Sequence, residues 1–218
     1  MRSLARAEVI KSAMVAAGIS AVLCAPRLLL WPERKYPLWY LEALLFLGGT
    51  VLWAFVFAWH TQYSGRPVFV LKVEKGLVAG VTVAGIVAAL LFTMLVDPVM
   101  RARTPEDYPT NADEWISRVL FSLAFTQLFL VFAPVAWLMR LFRNKTIAVV
   151  LTVVFGLFVM MIKNTKAPNP LPTNLFLILL TLRAASGLLS LYFYLRGGAM
   201  LVWWWVLLIH SRHLLNLI

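Results

Sequence analysis

Residues 77–96, LVAGVTVAGIVAALLFTMLV, run for twenty positions without a charged side chain. At 1.5 Å per residue, a helix of about twenty residues crosses the ~30 Å of hydrocarbon in a bilayer. A soluble domain could hold such a segment only by wrapping it on every side, and the rest of the chain is no more polar. Of 218 residues, 62% are hydrophobic and 13% charged, whereas a soluble domain is about half apolar and about a quarter charged. Too little polar surface would remain to cover a folded core in water. A single Cys, 11 Gly, 11 Pro and abundant aromatics exclude a disulfide framework, a collagen-like chain and disorder. The expected fold class is an all-α polytopic transmembrane helix bundle with about seven spans.

Outward from residues 77–99, the other apolar runs are 9–30, 38–59, 116–138, 146–162, 175–195 and 200–215. Ser64-Gly65-Arg66-Pro67 and the proline-rich stretch 164–172 punctuate them. Lys11 and Arg27 pinch the first run, so a tilted or interfacial helix is an alternative there. A cleaved signal peptide would need a small-x-small site, and Leu23 is too large for the position before Cys24 in a lipoprotein box. A retained helix is the expectation. Residues 1–114 would then form about three N-terminal transmembrane helices and a polar loop, and residues 115–218 a four-helix core.

The net charge of +11, from 20 Lys+Arg against 9 Asp+Glu, sits singly at the ends of the apolar runs rather than in a basic stripe. That pattern points to the lipid bilayer and its anionic head groups as partners, and not to nucleic acid. Seven spans would put ten cations (Arg2, Arg6, Lys11, Arg66, Lys72, Lys75, Arg140, Arg143, Lys145, Arg196) on the N-terminal side and eight on the other. The bias favours a cytoplasmic N-terminus in a bacterial inner membrane.

Polar groups inside apolar runs are the functional candidates, because ionisable side chains at membrane depth are costly. Glu42 and Arg183 are each isolated within a run, and a buried Glu42–Arg183 ion pair is expected, with a Glu42 wet at the interface as the alternative. Gln127, with Thr126, is expected to hydrogen-bond to a neighbouring helix. His210, His213 and Asn216 recur every third residue and share a helical face. Two imidazoles so spaced could hold a metal or a tetrapyrrole, or could simply form a polar helix end. No HExxH or carboxylate cluster supplies a third ligand, so no metal is expected. In Trp203-Trp204-Trp205, successive rings turn by about 100°. They would reach neighbouring helices and lipid together, with a hydrophobic ligand or partner as the second reading. No GxSxG, P-loop, GxGxxG or CxxC motif is present.

The last four spans carry a resemblance. The stretch 132–143, FAPVAWLMRLFR, resembles the helix bearing the EExxxR motif of the CAAX-prenyl-protease/bacteriocin-processing (CPBP) family of intramembrane proteases. Residues 147–160, IAVVLTVVFGLFVM, resemble its FxxxH helix, and Leu195-Arg196-Gly197-Gly198-Ala199 its glycine turn before the HxxxN helix. The resemblance implies a helical core able to hydrolyse peptide bonds, but the family's paired glutamates are here Trp137 and Leu138, and its histidine is Val159. Trp and Leu cannot take up a proton as general acid–base catalysis requires. The leading expectation is therefore a non-catalytic membrane subunit or scaffold with a CPBP-like core, binding a hydrophobic partner, lipid or cofactor, with membrane proteins as partners. Two alternatives stand beside it. One is an active CPBP-like endopeptidase using Asp113, Glu114, His210 and His213, and the other a subunit of a pigment- or haem-bearing membrane complex.

Overall fold

The structure is a computed structural model that describes residues 4, 6–31, 35–70, 72–165, 171–214 and 217. Among them the chain forms seven helices: α1 (Ala7–Leu29), α2 (Leu38–Ser64), α3 (Lys75–Leu95), α4 (Asp97–Arg103), α5 (Ala112–Phe142), α6 (Lys145–Thr165) and α7 (Thr173–Ser211). All but the short α4 are long and apolar enough to cross a membrane, and the fold is all-α. The pinched first run is a continuous helix of 23 residues. The polar stretch 98–113 contains most of α4 and a 3-10 turn, Pro105–Asp107.

Local chemistry sets the ends. Gly65 adopts φ 74° and stops α2 in the left-handed region that glycine tolerates. Asn111 caps α5: its Oδ1 accepts from the Glu114 N–H at 2.9 Å, while the Glu114 carboxylate accepts from the Thr110 N–H at 2.9 Å. This reciprocal arrangement satisfies backbone donors that the first turn leaves open. Asn144 likewise accepts from the Ile147 N–H at the start of α6.

The sixth and seventh apolar runs are joined in one helix of 39 residues, interrupted where Gly198 takes φ 70° and ψ −169°. A straight helix would separate residues 190 and 205 by about 22 Å. Instead the Trp205 indole donates to Ser190 Oγ at 3.0 Å, and the Phe193 and Trp205 ring centroids are 5.3 Å apart. The chain therefore folds back at Gly197-Gly198 into a hairpin with arms 173–197 and 199–211, which restores seven apolar segments. The segment after α2 locks this turn: the Ala199 N–H donates to the Val68 carbonyl at 2.9 Å, Phe69 bridges Gly198, and the Arg66 guanidinium binds the Arg196 carbonyl.

Contacts of this kind sort the connections onto two ends. At the first end lie 64–70, 143–145 and 196–198, with Lys145 Nζ donating to the Ser64 carbonyl at 3.2 Å. At the second lie 97–114, Lys163 and 210–213. There Lys163 meets Asp107 at 3.4 Å, Arg212 meets Asp97 at 3.1 Å, and the Trp115 indole donates to the His210 carbonyl at 2.9 Å. The core between the two ends is built on Trp205, Tyr194, Phe132 and Leu128, all fully buried. Phe132 stacks on Tyr194 with centroids 4.5 Å apart.

The expected Glu42–Arg183 pair is not made. The two ion pairs among the described residues are Lys163–Asp107 and Arg212–Asp97. Glu42 lies in the first turns of α2, a half-buried position within reach of the interface, so it gains little from a partner at membrane depth.

Candidate functional site

The three consecutive tryptophans go to three neighbours, as 100° steps require. Trp203 donates to the Leu123 carbonyl at 2.9 Å, half-exposed Trp204 to Thr82 Oγ1 at 2.9 Å, and buried Trp205 to Ser190. The Leu123 carbonyl lies in a π-turn, Ser122–Thr126, where i→i+5 bonding widens the helix. Trp203 also walls a cavity of about 180 Å³ between α1, α2, α5 and the returning arm of α7. The rest of the wall is apolar (Ala16, Leu23, Trp53, Phe69 and Ala124 among it) except Ser20, whose hydroxyl accepts the Trp53 indole N–H at 3.1 Å. Ile19, 58% exposed, and Phe69, 38% exposed, stand at its rim.

A second cleft lies beyond those turns. Leu120, Leu123 and Ala124 line the apolar cavity, whereas Gln127, Leu130 and Val131 face α6 and α7. On an undistorted helix these six would form one stripe. Two π-turns, Ser122–Thr126 and Leu128–Phe132, offset the later residues toward different neighbours. Arg183 lines this second cleft with Gln127, Thr152, Ser186 and Ser190.

At the second end, His210 and His213 have ring centroids 6.1 Å apart, and the buried His213 ring meets Tyr108 edge-on at 5.4 Å. Around them Tyr108 donates its hydroxyl to Asp97 at 2.9 Å, Asp97 receives Arg212, Arg101 covers the Tyr108 ring, and Arg212 covers Phe92. Burial, and then the facing Asp97 carboxylate, push the Tyr108 hydroxyl well above the ordinary phenol range. Asn216 lies outside the described residues. Asp113 and Glu114 share this end, but Glu114 is engaged at the helix cap, and Asp113 lies exposed beside Pro26, Leu30 and Ile116. No group of three or more His, Cys, Asp or Glu side chains able to hold a metal occurs among the described residues.

Trp137 and Leu138, where the family resemblance places paired glutamates, lie toward the far end of α5 from Trp115, on the order of 30 Å along the helix. Trp115 contacts His210. The structure thus does not bring positions 137 and 138 together with His210 and His213.

Two further buried polar groups belong to no motif in the sequence. Asp97, at the edge of an apolar run, is 3% exposed and holds the ion pair with Arg212. His60, one residue past the second run, is fully buried in a π-turn of α2 (Val56–His60), its ring 4.4 Å from that of Tyr194. Neither His60 nitrogen nor the Tyr194 hydroxyl has a hydrogen-bond partner among the described residues. The signal for both was a polar residue at the rim of an otherwise apolar stretch.

Comparison of the chain with protein-family models, with curated proteins and with solved structures finds no match.

Proposed function

We propose that the protein is a non-catalytic, multi-pass membrane subunit, built on a CPBP-like four-helix core, that binds an apolar chain between its helices. The observation that carries this reading is the cavity beside Trp203, about 180 Å³ and almost wholly apolar in its walls. An engineered cavity of about 150 Å³ lined by aliphatic and aromatic groups stays dry and takes a small hydrophobic molecule. A ring or a short stretch of acyl or isoprenoid chain fits the larger one here. Entry runs from the lipid side past Ile19 and Phe69. Against catalysis stand Trp137, Leu138 and Val159 in place of proton-handling residues, and the use of Glu114 in a helix cap. The cation bias supports a cytoplasmic N-terminus in a bacterial inner membrane, with Arg66, Lys72 and Lys75 on the same side.

The test is lipid analysis of protein purified in mild detergent, beside an Ala124→Leu variant that fills the cavity. Wild-type protein should retain an apolar molecule that the folded variant loses. Equal retention by both, or none by either, rejects the reading, as does peptidase turnover that disappears in Glu114→Gln.

A further inference from the structure

No Asp or Glu occurs after Glu114, so the entire segment 115–218 contains bases and no acids. Within it Arg183 stands ten residues beyond Thr173, about 15 Å along an arm of about 37 Å. A guanidinium at that depth is costly unless an anion or hydrogen-bond acceptors meet it. Arg183 forms no ion pair and no hydrogen bond with any described residue. Its side chain instead borders the cleft between α5, α6 and the first arm of α7, with a volume of about 50 Å³.

The polar side chains of this cleft divide into those with a hydrogen-bond partner among the described residues and those without. Thr152 donates to the Ala148 carbonyl at 2.7 Å, and Ser190 donates to the Ser186 carbonyl at 2.8 Å while accepting from Trp205. Those hydroxyls are committed. The guanidinium of Arg183, the amide of Gln127 and the hydroxyl of Ser186 are not. The Gln127 Oε1 is buried without a partner among the described residues. Because amide oxygen and nitrogen are interchangeable by a flip, the same side chain can present its NH₂. Opposite them, a Cβ at Gly156 would meet nothing within 4 Å, so this glycine leaves the cleft open.

We propose that this cleft binds one oxyanion, held by the forked guanidinium of Arg183 with Gln127 and Ser186 as supporting donors. A planar five-donor fork suits a carboxylate or a phosphate edge. The volume admits a group of a few heavy atoms and not a whole lipid, so the ligand is the carboxylate or phosphate head of an anionic amphiphile whose tail lies in the bilayer, or a small free oxyanion. The cleft is separate from the apolar cavity beside Trp203, and the inference stands whether or not that cavity takes an apolar chain.

The test is calorimetric titration of the full-length protein in nonionic-detergent micelles with oleate, dioleoyl phosphatidic acid, methyl oleate and inorganic phosphate. Oleate or phosphatidic acid should bind at least tenfold more tightly than methyl oleate. Arg183→Gln should lose at least tenfold, and Gly156→Val, which fills the cleft while keeping Arg183, should lose as much. Arg183-dependent binding of inorganic phosphate also supports the oxyanion site and assigns it to a free ion. Equal affinity for oleate and its methyl ester, unchanged binding in both folded variants, or binding of none of the probes overturns the proposal.

Discussion

Arg212 Nε and Asp97 Oδ2 lie 3.1 Å apart although 115 residues separate them in the chain. The pair closes the second end of the bundle. Asp97 opens α4 just after the third span, and Arg212 follows the last turn of α7. The same carboxylate accepts the Tyr108 hydroxyl through its other oxygen, so one acid ties together the third span, the loop and the C-terminal arm.

The side chains of Asp97 and Arg212 are only 5% and 14% exposed, so their charges meet largely away from water. Breaking such a pair costs about 3 kcal/mol. Asp97→Asn should lower unfolding stability in detergent by that order. Exposed Asp107→Asn, which breaks the pair to Lys163, should change it by less than about 1 kcal/mol. Denaturant unfolding of the two variants beside wild type measures the contrast.

Tyr108 gives the same network a pH signature. Its folded hydroxyl titrates above the ordinary value of 10.0, first through burial and then through Asp97. A raised pKa means the folded state holds the proton more tightly, so this contribution is complete below pH ~10 and declines as pH rises beyond it. Stability of wild-type protein should fall above pH ~10, and Tyr108→Phe should show a shallower alkaline loss. Thermal unfolding from pH 8 to 11 reads the difference.

The ion pair also marks the limit of what the sequence discloses. Apolar run length locates the spans to within a few residues, because hydrocarbon thickness constrains length and composition directly. The break at Gly197-Gly198 is visible as a glycine pair between two runs. Partners across helices are a different matter. Glu42 and Arg183 look matched as isolated charges, yet pairing depends on which helix faces meet, and three π-turns in α2 and α5 alter those faces. No periodicity rule applied to residues 115–138 anticipates that Leu123 and Gln127 face different cavities. Asp97 gives no signal of its own, since a charge at the end of an apolar run reads as a boundary marker.

Ser190 and Trp205 test the hairpin from inside. Both are buried, and Ser190 Oγ is the acceptor for the Trp205 indole N–H. Ser190→Ala leaves that N–H unsatisfied in an apolar core, a cost of about 1–3 kcal/mol. Trp205→Phe in the Ser190→Ala background removes the stranded donor, so the two substitutions should be non-additive by about 1 kcal/mol. A double-mutant cycle in denaturant measures it, and strict additivity would mean the two arms are not joined there.

The turn of the hairpin makes the most demanding requirement on sequence. Gly198 has φ 70°, and a Cβ there would collide with the Val68 carbonyl oxygen, a backbone atom held by the Ala199 N–H. Gly198→Ala therefore adds backbone strain, of order 1–3 kcal/mol, to a steric conflict that side-chain rotation cannot relieve. Gly197 lacks a positive φ, and the nearest atoms its added Cβ would meet are those of the Leu201 side chain, at 2.6–3.3 Å. Leu201 can shift its rotamer, so Gly197→Ala should be the milder change. The expected order of thermal stability is wild type, then Gly197→Ala, then Gly198→Ala. In Gly198→Ala the Phe69–Gly198 bridge should open, which cysteine cross-linking between positions 68 and 199 would detect as a lost product. Equal stability of the two alanine variants would place the reversal of the chain at another residue.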